Sequence, residues 1–389
     1  MTPTRAPRPL PAPLTPRAFS CACGRPVFFR NSECLACHRP LGYDAARGAL
    51  LALEPVRGGN WREAGVPARR APRYMRCANL DSAAACNWLL DAAEIARGQT
   101  LCRCCRLTRT VPDMSRPEAG PWWCRIEQAK RRLVSSLIGL GLPVLSKAED
   151  PRQGLAFDLL LPTPGGPPVV TGHADGSITL DVSEADDARR EQRRSELGEP
   201  YRTLLGHLRH ESGHYYWQRL VEPGAWLAPW RALFGDERDD YGAALQRHYA
   251  EGAPPDWGQR FVSAYASAHP WEDWAETWAH YLHLVDTLDT ARSFGLDGER
   301  VELSYERFDD ALPMDAGFTQ LLHSWMELTG VLNELSRSMG VADFYPFVLS
   351  VPAVRKLHLV HRIVHAGAPP GQGGLSGSEA PAARGPASA

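Results

Sequence analysis

The chain of 389 residues lacks any hydrophobic run long enough to cross a bilayer. Its best apolar stretch, around Leu133 to Leu145, contains serines and glycines and falls short of the roughly twenty residues a spanning helix needs. The stretch Met1-Thr2-Pro3-Thr4-Arg5-Ala6-Pro7-Arg8-Pro9-Leu10 is broken by prolines and has no continuous apolar core, so it is not expected to act as a secretory leader. Charge is nearly balanced, with 43 Lys and Arg against 45 Asp and Glu. A net charge of −2 argues against bulk electrostatic binding of nucleic acid or of a membrane. Lys130-Arg131-Arg132 and Arg189-Arg190 with Arg193-Arg194 are local basic patches that read as solvated helix faces. No cysteine follows Cys124, although ten occur up to that point. These absences predict a soluble protein in a reducing, cytoplasmic compartment, where clustered cysteines bind zinc rather than form disulfides.

What is present begins with those cysteines. Cys21-x-Cys23 and Cys34-x-x-Cys37 are two knuckle-like pairs about ten residues apart, enough for a tetrahedral structural zinc that replaces the core so short a segment cannot build. Gly24 and Pro40 suit the tight turns, and Val27-Phe28-Phe29 reads as a short strand between the pairs. Cys77, Cys86, Cys102 and Cys105 form a looser second set, read as a second structural zinc, with Cys104 and Cys124 unassigned.

His210-Glu211-Ser212-Gly213-His214 spells HExxH. On a helix, residues four apart project from one face, so both imidazoles can hold one metal ion. Glu211 then lies beside the metal without binding it, placed to take a proton from a zinc-bound water. The segment from Tyr201 to Val221 reads as that helix. Pro200 suits its first turn, Leu204, Leu205, Leu208, Tyr215 and Leu220 supply an apolar stripe, and Pro223 with Gly224 stops it.

A catalytic zinc needs a third protein ligand and an open position. The run from His269 to His283 starts a helix at Pro270 and puts Trp274, Trp278 and Leu282 on an apolar stripe. Glu272 and Glu276 are stacked one turn apart, which is unfavourable on an ordinary surface helix and acceptable beside a dication. One carboxylate can bind zinc while the other accepts the free N–H of a zinc-bound histidine. His269, His280 and His283 are the alternative third ligands. His207, one turn before His210, reads as a supporting or packing residue, because a fourth protein ligand would close the position that water needs.

This combination resembles the glutamate-type zincin metallopeptidases (gluzincins). Tyr265, followed seven residues on by Glu272-Asp273-Trp274-Ala275-Glu276, is similar to the active-site pattern of the lethal-factor-type peptidases. The resemblance implies Glu272 as third ligand, Glu276 as the partner of a zinc histidine, and Tyr265 as donor to the oxyanion of the tetrahedral intermediate. A phenol suits that task because it donates a hydrogen bond without carrying charge at pH 7. The second motif of thermolysin-like enzymes is absent. In zincins an edge strand above the active-site helix pairs with substrate, and by resemblance Ser177 to Val182 is that strand.

Elsewhere, Trp123 to Leu140 reads as a helix, with Ile126, Ala129, Leu133 and Leu137 at helical spacing. Ala156 to Leu161 and Ser177 to Val182 read as strands, the latter introduced by Asp175-Gly176. Helices dominate from Gln320 to Val364, interrupted near Tyr345-Pro346. The expected fold is α+β: zinc-ribbon modules followed by a mostly helical zincin-like domain with a small β-sheet. The expected segments are a disordered Pro-rich stretch over 1–17, a zinc ribbon over 18–55, a second cysteine-rich module over 56–120, the zincin-like domain over 121–366 and a disordered tail over 367–389.

Cys86-Asn87-Trp88-Leu89, Cys102 to Arg109, Glu127 with Ala129 to Leu133, Tyr201 to Glu211, His214 to Trp217, Pro270 to His283, and Arg337-Ser338-Met339-Gly340 with Tyr345-Pro346-Phe347 carry a wider similarity. Through them the chain resembles a bacterial family of zinc-binding metallopeptidases with an N-terminal zinc ribbon. The implied function is zinc-dependent hydrolysis of peptides or proteins, with one catalytic zinc and one or two structural ones. The alternative is a module in which the ribbons bind nucleic acid or a protein, Arg25, Arg30, Arg39, Arg103 and Arg106 meeting phosphates, and the zincin unit is a scaffold.

Overall fold

A computed structural model describes residues 13–163, 165–197, 203–296 and 313–367, and the fold is α+β. The expected disorder over residues 1–12 and 368–389 falls outside the described residues, as do Pro200 to Arg202 at the expected start of the HExxH helix.

The N-terminal part is built of short antiparallel strands. β1 (Ala18–Ser20) pairs with β2 (Pro26–Phe28), one residue earlier than the expected strand, and the turn between them holds Cys21, Cys23 and Gly24 at φ +82°. β3 (Leu41–Asp44), β4 (Ala49–Pro55) and β5 (Trp61–Glu63) form a three-stranded meander. This sheet runs across the module boundary expected after residue 55. β6 (Met75–Arg76) pairs with β7 (Leu89–Leu90), and α1 (Ala92–Ala96) follows behind an Asp91–Glu94 capping box. Tyr43 N–H donates to Asn87 O, and the Tyr43 ring packs on Trp88, so the two cysteine regions share one interior.

The C-terminal part has a four-stranded sheet in the order β10–β11–β9–β8. β8 (Thr108–Thr110), β9 (Ala156–Leu160) and β11 (Ser177–Asp181) are parallel, while β10 (Gly172–Ala174) returns antiparallel on the outside. The expectation that Ser177 to Val182 is the edge strand is therefore wrong. Asp175 and Gly176, at φ +46° and +76°, make a tight reversal that folds β10 over the outer side of β11, leaving β10 as the edge.

α2 (Ala119–Gly139) starts four residues before its expected position, with Pro121 in the first turn, and buries Trp123, Ile126, Leu133, Val134 and Leu137. Its Lys130 and Arg131 are buried rather than solvated. Lys130 pairs with Glu127 and bonds Thr108 Oγ1, while Arg131 donates to Ala84 O at 3.0 Å. Arg132 reaches Asp286. α3 (Asp187–Leu197) leads towards α4 (Leu204–Leu220), whose first turn is capped by Thr203 Oγ1 accepting from Gly206 N–H. α5 (Leu227–Phe234) and α6 (Tyr241–Glu251) connect to the long α7 (Pro270–Ser293), then α8 (Ala316–Ser338) and α9 (Val351–Gly367) follow.

α4 crosses α7, and Gly213 sets their separation. A Cβ there would lie 2.9 Å from Ala275 Cα and 3.2 Å from Trp278 Cβ. Two indoles fasten the crossing: Trp274 Nε1 donates to Gly213 O at 2.8 Å and Trp278 Nε1 to Ser212 Oγ at 3.1 Å. Farther along α7, buried Asp286 receives Arg17, Arg132 of α2 and Arg209 of α4. Leu14 and Thr15 N–H groups bond Asp289 at 3.2 and 2.9 Å. Residues 14–17, expected to be disordered, are thus held against α7 because its two buried aspartates need donors.

Candidate metal centres and active site

In both cysteine sets the four sulfurs converge, all lying within 4.8 Å of one another. Cys21 to Cys37 is 3.7 Å, Cys23 to Cys34 3.8 Å and Cys86 to Cys102 3.7 Å. Tetrahedral zinc with Zn–S of about 2.3 Å separates its sulfurs by about 3.8 Å, whereas a disulfide requires about 2 Å. Without a cation, four adjacent thiols cannot all ionise. In the buried second set the bonds from its neighbours pull Cys77 down, while Cys86 and Cys102 are pushed far above the ordinary thiol range. The donor chemistry therefore fits zinc. A tetrathiolate zinc would carry a net charge of −2; beside it, burial acts to lower both Lys130 and Arg131, but Glu127 and then Cys104 and Cys105 raise Lys130, and Cys86 and then Cys104 raise Arg131, so buried positive charge faces this set. Cys104 is buried beside this set and Cys124 is a partly exposed residue of α2; neither joins a cluster.

The third cluster is His210, His214 and Glu272, whose candidate ligand atoms also fall within 4.8 Å. α4 presents the histidines one turn apart and α7 brings Glu272 across the Gly213 contact. Glu272 Oε2 lies 3.0 Å from His210 Nε2, and Oε1 lies 3.6 Å from His214 Nε2. Glu272 Oε2 and His214 Nδ1 are buried without a hydrogen-bond partner. Burial acts to raise the Glu272 carboxyl, but His214, His210 and the Tyr241 hydroxyl outweigh it and hold it at about 2. Burial keeps His214 below the ordinary imidazole range, hence neutral, the form in which histidine binds metal. Burial acts to lower His210, but Glu272 and Glu276 outweigh it and push His210 well above the ordinary imidazole range, holding a proton that a divalent cation would replace; two imidazoles and one ionised carboxylate converging here fit such a cation.

Around this cluster, Glu276 Oε1 lies 2.7 Å from His210 Nδ1, and Ser263 Oγ donates to Glu276 Oε2 at 2.6 Å. Glu211 is buried next to the histidines, its Oε2 without a partner. Tyr265 stands in the turn before α7 with its ring 6.0 Å from that of His210. Burial and the nearby carboxylate of Glu272 raise its phenol far above the ordinary range, so it stays a proton donor. The alternative ligands point elsewhere. His269 caps α7, accepting from Trp271 N–H at 3.1 Å; His280 bonds Tyr345 OH at 2.7 Å; His283 packs on Trp325 and Tyr345.

Several neighbours were not apparent from sequence. Tyr241 OH, on α6, donates to Glu272 Oε1 at 2.7 Å. His173, on the edge strand β10, packs on His214, Tyr215 and Trp271 with ring centroids 6.4 Å away in each case. His207 lies between Glu184 and Glu211, whose carboxylates overcome the effect of burial and push it up to about 10. A tyrosine 31 residues upstream of Glu272, or a glutamate 23 upstream of His207, leaves no periodic trace that could have singled it out. Among the arginines considered for phosphate contact, Arg106 is committed internally, bound to Glu94, Glu149 and Leu101 O.

Comparison with known proteins defines the class. The family model described as "Putative zinc-binding metallo-peptidase" matches residues 120–363, and one described as a zinc-ribbon domain matches residues 18–116, spanning both cysteine sets. The chain belongs to this metallopeptidase family and carries its zinc ribbon at the N-terminal side. Uncharacterised proteins of Mycobacterium tuberculosis and Mycobacterium bovis are similar to it, each 42% identical over 355 residues, covering 91% of this chain and 96% of the relative. No solved structure matches it. No helix among the described residues is long and apolar enough to cross a membrane.

Proposed function

We propose that the chain hydrolyses peptide bonds in peptides or proteins at a zinc held by His210, His214 and Glu272, and that two further zinc ions bind the cysteine tetrads as structural elements. The observation that carries this reading is the convergence of those three side chains from two crossing helices, beside a buried glutamate with a free oxygen. Zinc, when bound, acts as a Lewis acid that lowers the pKa of water and polarises a carbonyl. Glu211 takes the proton from the attacking water and passes it to the leaving amine. Tyr265 donates a hydrogen bond to the developing oxyanion. Glu276 fixes the ring and tautomer of His210 through Nδ1, while Ser263 fixes Glu276. Tyr241 holds Glu272 Oε1.

An extended substrate adds to the outer edge of β10, where His173 packs beside His214. Main-chain pairing of this kind accepts varied side chains. Ten unpaired thiols, eight of them gathered in tetrads, accord with a reducing cytoplasmic setting. The test is Glu211→Gln: it retains wild-type zinc content and loses cleavage of a quenched-fluorescence peptide library. Cleavage at the wild-type rate refutes the assignment of the base.

A further inference from the structure

His207 precedes His210 by one turn of α4, and its ring stands between two carboxylates. Nδ1 is 2.6 Å from Glu184 Oε2, and Nε2 is 3.2 Å from Glu211 Oε1. Both carboxylates are buried, with side chains 6% exposed. Glu184 is itself fixed. It sits in the turn Val182–Ala185 that ends β11, and its Oε1 accepts from Thr171 Oγ1 at 2.9 Å. Thr171 Oγ1 in turn accepts from Asp181 N–H at 3.1 Å. A continuous chain of contacts therefore runs from the sheet through Glu184 and His207 to Glu211.

Ionised carboxylates only accept hydrogen bonds, so an imidazole between two of them serves both by carrying a proton on each nitrogen. It then has no acceptor of its own and cannot bind metal. The consequence for Glu211 is a division of labour between its oxygens: Oε1 is engaged by His207, whereas Oε2 is buried and unpartnered. We propose that Glu184 and His207 are positioning residues that clamp Glu211 by Oε1 and reserve Oε2 as the oxygen that receives the proton from water. This rests on the assignment of Glu211 as general base. An ordinary stabilising ion pair would engage the carboxylate without that consequence for turnover, so stability and turnover must be read separately.

The clamp is tested first without substrate, from the ¹⁵N resonances of the His207 ring in the full-length protein with its zinc ions bound. Both nitrogens are expected in the protonated range, with Glu211→Gln moving Nε2 and Glu184→Gln moving Nδ1. A ring that responds to neither variant overturns the clamp. Turnover of the quenched-fluorescence peptide library then tests its use. His207→Ala, with full zinc content, should lose about 10²-fold in kcat, within the range of general-base effects, at nearly unchanged KM. Added imidazole should restore part of the loss. Glu184→Gln should lose less, and the double variant no more than His207→Ala alone, because the two act in one chain. Wild-type kcat in a His207→Ala protein overturns the proposal while leaving the peptidase reading intact. A wild-type protein with its zinc bound that cleaves nothing overturns the peptidase reading and the catalytic use of the clamp together, and the ring resonances still report whether the contact exists.

Discussion

Gly213→Ala separates a packing requirement from a helix preference, because the two act in opposite directions. Alanine is favoured over glycine in a helix interior by about 1 kcal/mol, so on an isolated helix the substitution stabilises. At the α4–α7 crossing the added methyl would lie 2.9 Å from Ala275 Cα, a backbone atom that cannot rotate away, and 3.2 Å from Trp278 Cβ. Overpacking of this kind costs about 1–3 kcal/mol, and contact with backbone puts it in the upper part of that range. The expected net effect is a loss of ~1–2 kcal/mol, roughly 2–8 °C in Tm for a domain of this size. Ala275 lies between Glu272 and Glu276, so relief of the clash carries both carboxylates away from His210 and His214. Zinc affinity at that cluster should therefore fall by about tenfold or more, as expected when ligand geometry is disturbed. Thermal unfolding of the protein with zinc only in its cysteine tetrads and competition with a chelator give the two quantities. A Gly213→Ala protein as stable as wild type or more so, with unchanged zinc affinity, would show that the close crossing does not position the site.

Other outcomes follow from individual contacts. Tyr241→Phe removes the hydroxyl that holds Glu272 Oε1 at 2.7 Å and should weaken zinc binding at the histidine cluster about 10–100-fold while sparing the tetrads, read by the order of zinc release to a chelator; release in wild-type order refutes it. Arg131→Met removes buried positive charge beside the second tetrad and should speed loss of one zinc equivalent, whereas an unchanged rate argues that Arg131 serves packing alone. Asp286 is buried, which acts to raise its carboxyl, but Arg17, Arg132 and Arg209 hold it well below the usual carboxylate range. Its folded-state value is depressed, so its stabilisation is complete above the unfolded value near about pH 4 and fades as pH falls through the folded value. The Tm gap between wild type and Asp286→Asn should be full at neutral pH and narrow only below about pH 4; a gap that narrows between pH 8 and 6 contradicts this.

The chemistry of the site was legible in sequence where it is encoded locally. Helical spacing alone puts His210 with His214 and Glu272 with Glu276 on common faces, and the cysteine pairs declare themselves by separation. Third-dimensional choices were less visible. Ser177–Asp181 reads as a strand, yet its place inside the sheet depends on the short β10 folding back over it. Lys130 and Arg131 look like a solvated patch until the second tetrad and Glu127 are placed beside them. The fixing of residues 14–17 depends on Asp286 and Asp289, some 270 residues away. Tyr241 and Glu184 reach the site from separate elements, with no pattern that relates them to their partners.

Metal counting on the full-length protein tests the central claim most directly. Three zinc ions per chain are expected, falling to two in the His210→Ala/His214→Ala double variant, with both tetrads still loaded. A wild-type count of two, or a count that the double variant leaves unchanged, would contradict a metal centre at the crossing of α4 and α7.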